Sequence, residues 1–337
     1  MVDLSTRYLG LDLKNPLVPS SSPLTGELDS ARQLEDAGAS AIVMPSLFEE
    51  VIVAEQDRLD RFLDQQSIGH GEAQSFRPVP DSFKSSEDSY LERIEALKSA
   101  LDIPVVASLN GTTDRGWLSH ATALQDAGAD ALELNVYYVA GDDADTAANV
   151  EQRYLDIAAG LMREIQLPVA LKLSPQFSAP LDLVRKLDQA GVAGISLFNR
   201  FYQPDIDLET LEVTPRLSLS SPQEALLRIR WAAMLFGRID CGIAVTGGFH
   251  TAEDALKALL AGADVVHLCS VLLREGATAL EAMLTDMTRW LEAKEYESVS
   301  QLKGSVSQRN APNPAGYARA NYIDVLQNWS SPDGVRF

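Results

Sequence analysis

Residues 242–270 read GIAVTGGFHTAEDALKALLAGADVVHLCS. An apolar run ends in a glycine pair. Thr251-Ala-Glu-Asp254 then has the form of a helix start, a capping hydroxyl followed by an acidic first turn. Ala261-Gly262 closes that helix, since glycine takes the left-handed backbone just past a helix without a Cβ penalty. A second apolar run follows. Neither run alternates strictly between apolar and polar residues, which marks strands buried on both faces of a parallel sheet. The stretch is therefore one strand–helix–strand unit.

Both of its phrases recur along the chain. A proline or glycine leads an apolar run into small polar residues at Asn15–Ser22, Pro104–Asn110, Pro168–Ser174 and Gly242–Gly248. A helix ending in Ala-Gly leads into an apolar run around Gly38, Gly128, Gly191 and Gly262. Segments between them, such as APLDLVRKLDQA, carry apolar residues at helical spacing. Four such pairs give eight strands, and eight parallel β/α units close into a TIM (β/α)8 barrel of the α/β class. An open doubly wound sheet is the alternative. It would place a glycine-rich turn after the first strand, where this chain has Ser20-Ser21-Ser22-Pro23.

We read the 337 residues as a single domain, because barrels of this class often exceed ~250 residues as one unit. Residues 50–90 are expected to form a long polar loop at the active-site end, with a lid or a structural excursion as its two readings. Residues 301–337 are expected to form a capping helix and a loose end. The net charge of −20 argues against nucleic acid as a partner. Two isolated cysteines, Cys241 and Cys269, imply no disulfide framework and suit a reducing cytoplasm. We see no signal peptide and no apolar run long enough for a membrane. The histidines (His70, His120, His250, His267) lack metal-ligand spacing, so no metal is expected.

Function in a barrel lies at the C-terminal strand ends. These offer Ser20 and Ser21, Ser46, Asn110, Asn135 with Tyr137 and Tyr138, Lys172, Asn199 with Arg200, Gly247 with Gly248, and Cys269 with Ser270. Paired glycines before a helix start suit a phosphate, and this fold binds phosphate at its seventh and eighth loops. Lys172 interrupts an apolar strand, so it needs an anion or serves as a nucleophile. Asn135 and Asn199 carry amides suited to a heterocycle with both donors and acceptors.

In order, these strand ends resemble the dihydroorotate dehydrogenase family over most of the chain. Ser108-Leu-Asn-Gly111, Glu133-Leu-Asn-Val136, Lys172-Leu-Ser-Pro175, Asn199, Thr246-Gly-Gly248 and Cys269-Ser270 are each similar to a family motif, and Ser221 falls near its flavin-loop glycine. The resemblance implies FMN, held by Ser20, Ser21, Ser46, Asn110, Asn135, Lys172, Asn199, Ser221, Gly247, Gly248, Cys269 and Ser270. It implies a pyrimidine-like substrate on Asn135, Asn199 and Arg200, with dihydroorotate as the default. Lys172 would face the flavin edge that gains negative charge on reduction. A homodimer and a soluble redox partner are further implications. The chain departs from the family twice. Pro45-Ser46 stands where the family has Lys-Ser, and Tyr138, beside Tyr137, stands at the position of the Cys or Ser base. Tyr138 or Tyr137 would then handle the proton. The remaining alternatives are a flavin reductase with another substrate, a flavin-free aldolase or lyase using Lys172 as a Schiff base, and a flavin-holding subunit without turnover.

Overall fold

The computed structural model describes residues 2–67, 84–111 and 116–328. The first four barrel strands are β1 (Leu17–Pro19), β2 (Ile42–Val43), β3 (Val105–Gly111) and β4 (Ala131–Val136). The other four are β5 (Val169–Leu173), β6 (Gly194–Leu197), β7 (Gly242–Thr246) and β8 (Val265–Leu268). From β2 to β8 each strand pairs in parallel with the next, and β8 returns to β1. Between β1 and β2 the Ser40 N–H and hydroxyl both donate to the Leu17 carbonyl, at 3.3 and 2.9 Å. The chain is a TIM barrel, with strands in the order the repeated phrases predict.

Two packed layers explain why the strands read as continuous apolar runs. In β4, Leu132, Leu134 and Val136 turn outward into the core shared with the helices. Ala131 turns inward, to a smaller cluster with Val18, Val43, Val106, Ala170, Ala244 and Val265. Both faces are buried, so the two-residue period is hidden. The helices supply the outer half of the core. Pro180–Gln189 buries Leu183, Val184 and Leu187 along one stripe, each contributing roughly 1.5–3 kcal/mol. At Gly262, φ is +126° and a Cβ would lie 2.6 Å from the Phe236 ring, so both conformation and space demand glycine.

The N-terminal end of the barrel is closed by a hairpin that the sequence reading did not foresee. Thr6–Tyr8 pairs antiparallel with Leu11–Leu13 through a turn at Leu9-Gly10, where both residues have positive φ. Tyr8, Leu9 and Leu13 plug the inner cluster.

Two expectations are corrected. Part of the 50–90 segment is helical rather than loop. Leu47–Phe48 pairs with β3, and helix Glu49–Ser67 follows directly. His70 and its neighbours lie outside the described residues. The tail is not one capping helix. Short helical pieces at Val299–Leu302, Pro314–Tyr317 and Ala320–Asn328 flank a segment whose N–H groups at Gly304, Val306 and Gln308 donate to Leu259, Leu260 and Ala233. Those carbonyls end two barrel helices, so the tail satisfies acceptors that a helix leaves open. Among the described residues no helix is long and apolar enough to cross a membrane.

Candidate active site

A cavity of about 490 Å³ opens at the C-terminal strand ends, within the usual range for small-ligand sites. Ser20, Ser21, Ser46, Asn110, Asn135, Tyr137, Lys172, Asn199, Arg200, Gly247, Gly248, Cys269 and Ser270 all line it. Tyr138 and Ser221 do not. The Tyr138 hydroxyl donates to Asp145 at 2.6 Å, and the Arg153 guanidinium lies 3.9 Å from its ring centroid. The bond to Asp145 holds the Tyr138 phenol above its ordinary range, so it stays protonated. Tyr138 therefore caps the loop after β4, and Tyr137 is the tyrosine that faces the cavity. In the flavin-loop position the wall residue is Ser220. The Ser221 N–H instead donates to Glu224, inside the cap of the turn Pro222–Glu224.

Strand register builds the floor. Asn110 stands opposite Asn135, and Asn135 opposite Lys172, so three polar side chains share one level of the barrel. The Asn199 amide donates to Asn135 at 2.7 Å and joins the row from the end of β6. One layer below, period two puts Glu133 on the same inward face as Asn135. Glu133 accepts from Lys172 at 3.2 Å, and its second oxygen lies 3.5 Å from His267 Nδ1. Burial raises the Glu133 pKa, but the Lys172 charge and hydrogen bond lead the effects that outweigh it and hold the carboxyl below its usual range. Burial pushes His267 down to about 4, against the attraction of Glu133, so its imidazole is neutral at pH 7. In the sequence Glu133 stands within a strand-end motif, and His267, inside an apolar strand, carries no ligand spacing. The missed signal was polar residues two apart in apolar strands, as in Glu133-Leu-Asn135 and His267-Leu-Cys269.

The rim after β7 is an anion cradle. Gly247 and Gly248 have φ of +91° and +94°. A Cβ on Gly248 would lie 2.5 Å from the Ala225 nitrogen and 2.8 Å from the Ser221 carbonyl, so only glycine lets these loops meet. Consecutive N–H groups in such turns form an anion-binding hollow. The Gly248 N–H donates to the Ser220 hydroxyl at 3.1 Å, and the Ser220 N–H and hydroxyl both donate to the Ser270 hydroxyl, at 3.0 and 2.8 Å. Beneath lies Arg228, buried and missed by the sequence reading, whose Nε donates to the Thr246 carbonyl at 3.0 Å. A Cβ on Gly247 would come within 3.2 Å of the Arg228 guanidinium, so the cation sits directly under the turn. Hydroxyls, paired N–H groups and a buried guanidinium are the donor set a phosphate needs. The residues fit the phosphate of FMN.

The chain's sequence agrees with this geometry. Residues 83–291 match the model of the dihydroorotate dehydrogenase family. The chain is similar to the dihydroorotate dehydrogenase B (NAD(+)) catalytic subunit of Thermoplasma acidophilum, at 24% identity over 90% of this chain and 99% of the relative. Similarity to the dihydroorotate dehydrogenase A (fumarate) of Lactobacillus helveticus is 25% over 91% and 99%. Similarity to the NAD-dependent dihydropyrimidine dehydrogenase subunit PreA of Escherichia coli is 22% over 92% and 78%. The match to the family model covers more than half of the chain, and the barrel agrees with it, so the chain belongs to the dihydroorotate dehydrogenase family of oxidoreductases.

Proposed function

We propose that the chain is an FMN-dependent oxidoreductase acting on a CH–CH bond of a pyrimidine-like ring, with dihydroorotate, for which the family is named, as the reference compound of the test. The observation that carries this reading is the Gly247-Gly248 cradle over Arg228, set beside a floor of Asn110, Asn135, Lys172 and Asn199. Bound FMN would supply the two-electron redox chemistry. Ser220, Ser270 and the glycine N–H groups would hold its phosphate, with the buried Arg228 guanidinium beneath the turn adding positive charge. Ser20, Ser21, Ser46, Asn110 and Cys269 would bound the rest of it. Lys172, held by Glu133, would stabilise the negative charge that a bound flavin gains on reduction. Asn135 and Asn199 present donors and acceptors to a ring, and Tyr137, the one of the two tyrosines after β4 that lines the cavity, would offer a phenol for proton exchange. A Schiff-base lysine must reach its substrate as a free amine, whereas the Lys172 amine is bonded to Glu133. A cytoplasmic homodimer passing electrons to a soluble acceptor completes the reading.

The test is the visible spectrum of the purified protein, before and after anaerobic dihydroorotate. Flavin bands that bleach support both cofactor and substrate. Bands that persist keep the cofactor and move the substrate elsewhere. No flavin, even after incubation with FMN, overturns the reading.

A further inference from the structure

The cavity wall carries three charged side chains among the described residues: Lys172, Arg200 and Glu50. Both cations already hold a carboxylate. Lys172 donates to Glu133 at 3.2 Å, and Arg200 donates through Nε to Glu224 at 2.9 Å and also to the Ser218 carbonyl. Glu50 opens helix Glu49–Ser67 and faces the cavity with no ion-pair partner among the described residues. It arrives from the end of β2, the strand end where the family resemblance implies a lysine. Pro45 occupies that lysine's place and does not line the cavity. Its ring packs on Gly26, where a Cβ would lie 2.6 Å from Pro45 Cγ. At this wall the chain offers a substrate the Glu50 carboxylate, with Pro45 in place of the lysine that the resemblance implies.

Part of the uncharged wall is aromatic and amide. Tyr137 packs against Phe201 with ring centroids 4.3 Å apart and planes tilted by 39°, and Phe48 and Tyr202 also line the cavity. The Asn199–Asn135 pair sits below them. Flat apolar faces and amide edges match a planar ring that itself carries N–H and C=O groups.

Resting on the function proposed above, we infer that this site takes an uncharged lactam or imide ring, and that Glu50, with Pro45 in the lysine position, selects against a carboxylated one. A substrate carboxylate would meet the Glu50 charge and find the wall cations already paired, and one such unfavourable contact near a protein surface is worth roughly tenfold or more in affinity.

The experiment is an anaerobic titration of the FMN-loaded protein with uracil and, separately, orotate, following the shift of the flavin bands. Both are unreactive oxidised rings, so the readout is binding and not turnover. We expect uracil to bind at least tenfold more tightly than orotate, and Glu50→Gln to narrow that gap by improving orotate alone. Equal or tighter orotate binding in the wild type overturns the inference and leaves the flavin reading intact. So does a band shift with neither ring. Protein that takes up no FMN fails the underlying reading, and the inference falls with it.

Discussion

Lys172 and Glu133 lie at 9% and 1% exposure, joined by a 3.2 Å bond across neighbouring strands. A charge this deep is tolerable only because it is paired. Removing one partner strands the other, which typically costs ~3–5 kcal/mol, whereas removing both leaves an apolar contact. We therefore expect Lys172→Met to lower the free energy of urea unfolding by that amount. The double variant Lys172→Met/Glu133→Leu should regain most of the loss. A double variant no more stable than the single one would show that the loss does not come from leaving Glu133 buried without its partner. The same geometry serves the proposed chemistry, since a side chain anchored at one end cannot swing away from the cavity.

At the scale of elements, the glycine turn after β7 ties three segments into one surface. Gly248 touches the Ser221 carbonyl and the start of helix Ala225–Leu235. Its N–H reaches Ser220, and Ser220 reaches Ser270 after β8. A Cβ at Gly248 meets backbone, not a flexible side chain, so the loops must separate to admit it. We expect Gly248→Ala to lose FMN uptake by at least tenfold in a fluorescence-quenching titration while the far-ultraviolet circular dichroism keeps its barrel signature. Undiminished uptake would remove the cradle from the proposed phosphate site. This element was legible in the sequence because a glycine pair and a capped helix start are local signals. The helix–glycine–strand phrases were local too, and they carried the barrel. What stayed hidden depends on partners distant in the chain. Glu133 acquires its meaning from Lys172 and His267, and Arg228 from a turn it meets only after folding. The plug Thr6–Leu13 escaped because three-residue strands leave too short a pattern to read.

For the whole molecule, the polar layer inside the barrel sets a dependence on pH. His267 is neutral when folded, with its pKa pushed down to about 4 by burial, while in the unfolded chain it would protonate near its ordinary value of about 6.5. Between those two values the unfolded state binds more protons than the folded one. Falling pH therefore favours unfolding, by ~1.4 kcal/mol per pH unit and about 3 kcal/mol across the window. Glu133 acts in the same direction at lower pH. Its folded pKa is depressed, so the stability it contributes is present above the unfolded carboxyl value and is lost as pH falls through the folded one. The remedy for His267 is a side chain of similar reach that does not titrate. We expect the urea midpoint of the wild type to fall steadily from pH 7 to pH 4. In His267→Gln that decline should flatten between pH 6.5 and pH 4 and resume below it, where Glu133 takes over. Parallel pH curves for the two proteins would mean that acid enters the fold elsewhere, and that the imidazole inside the barrel is not what limits its stability.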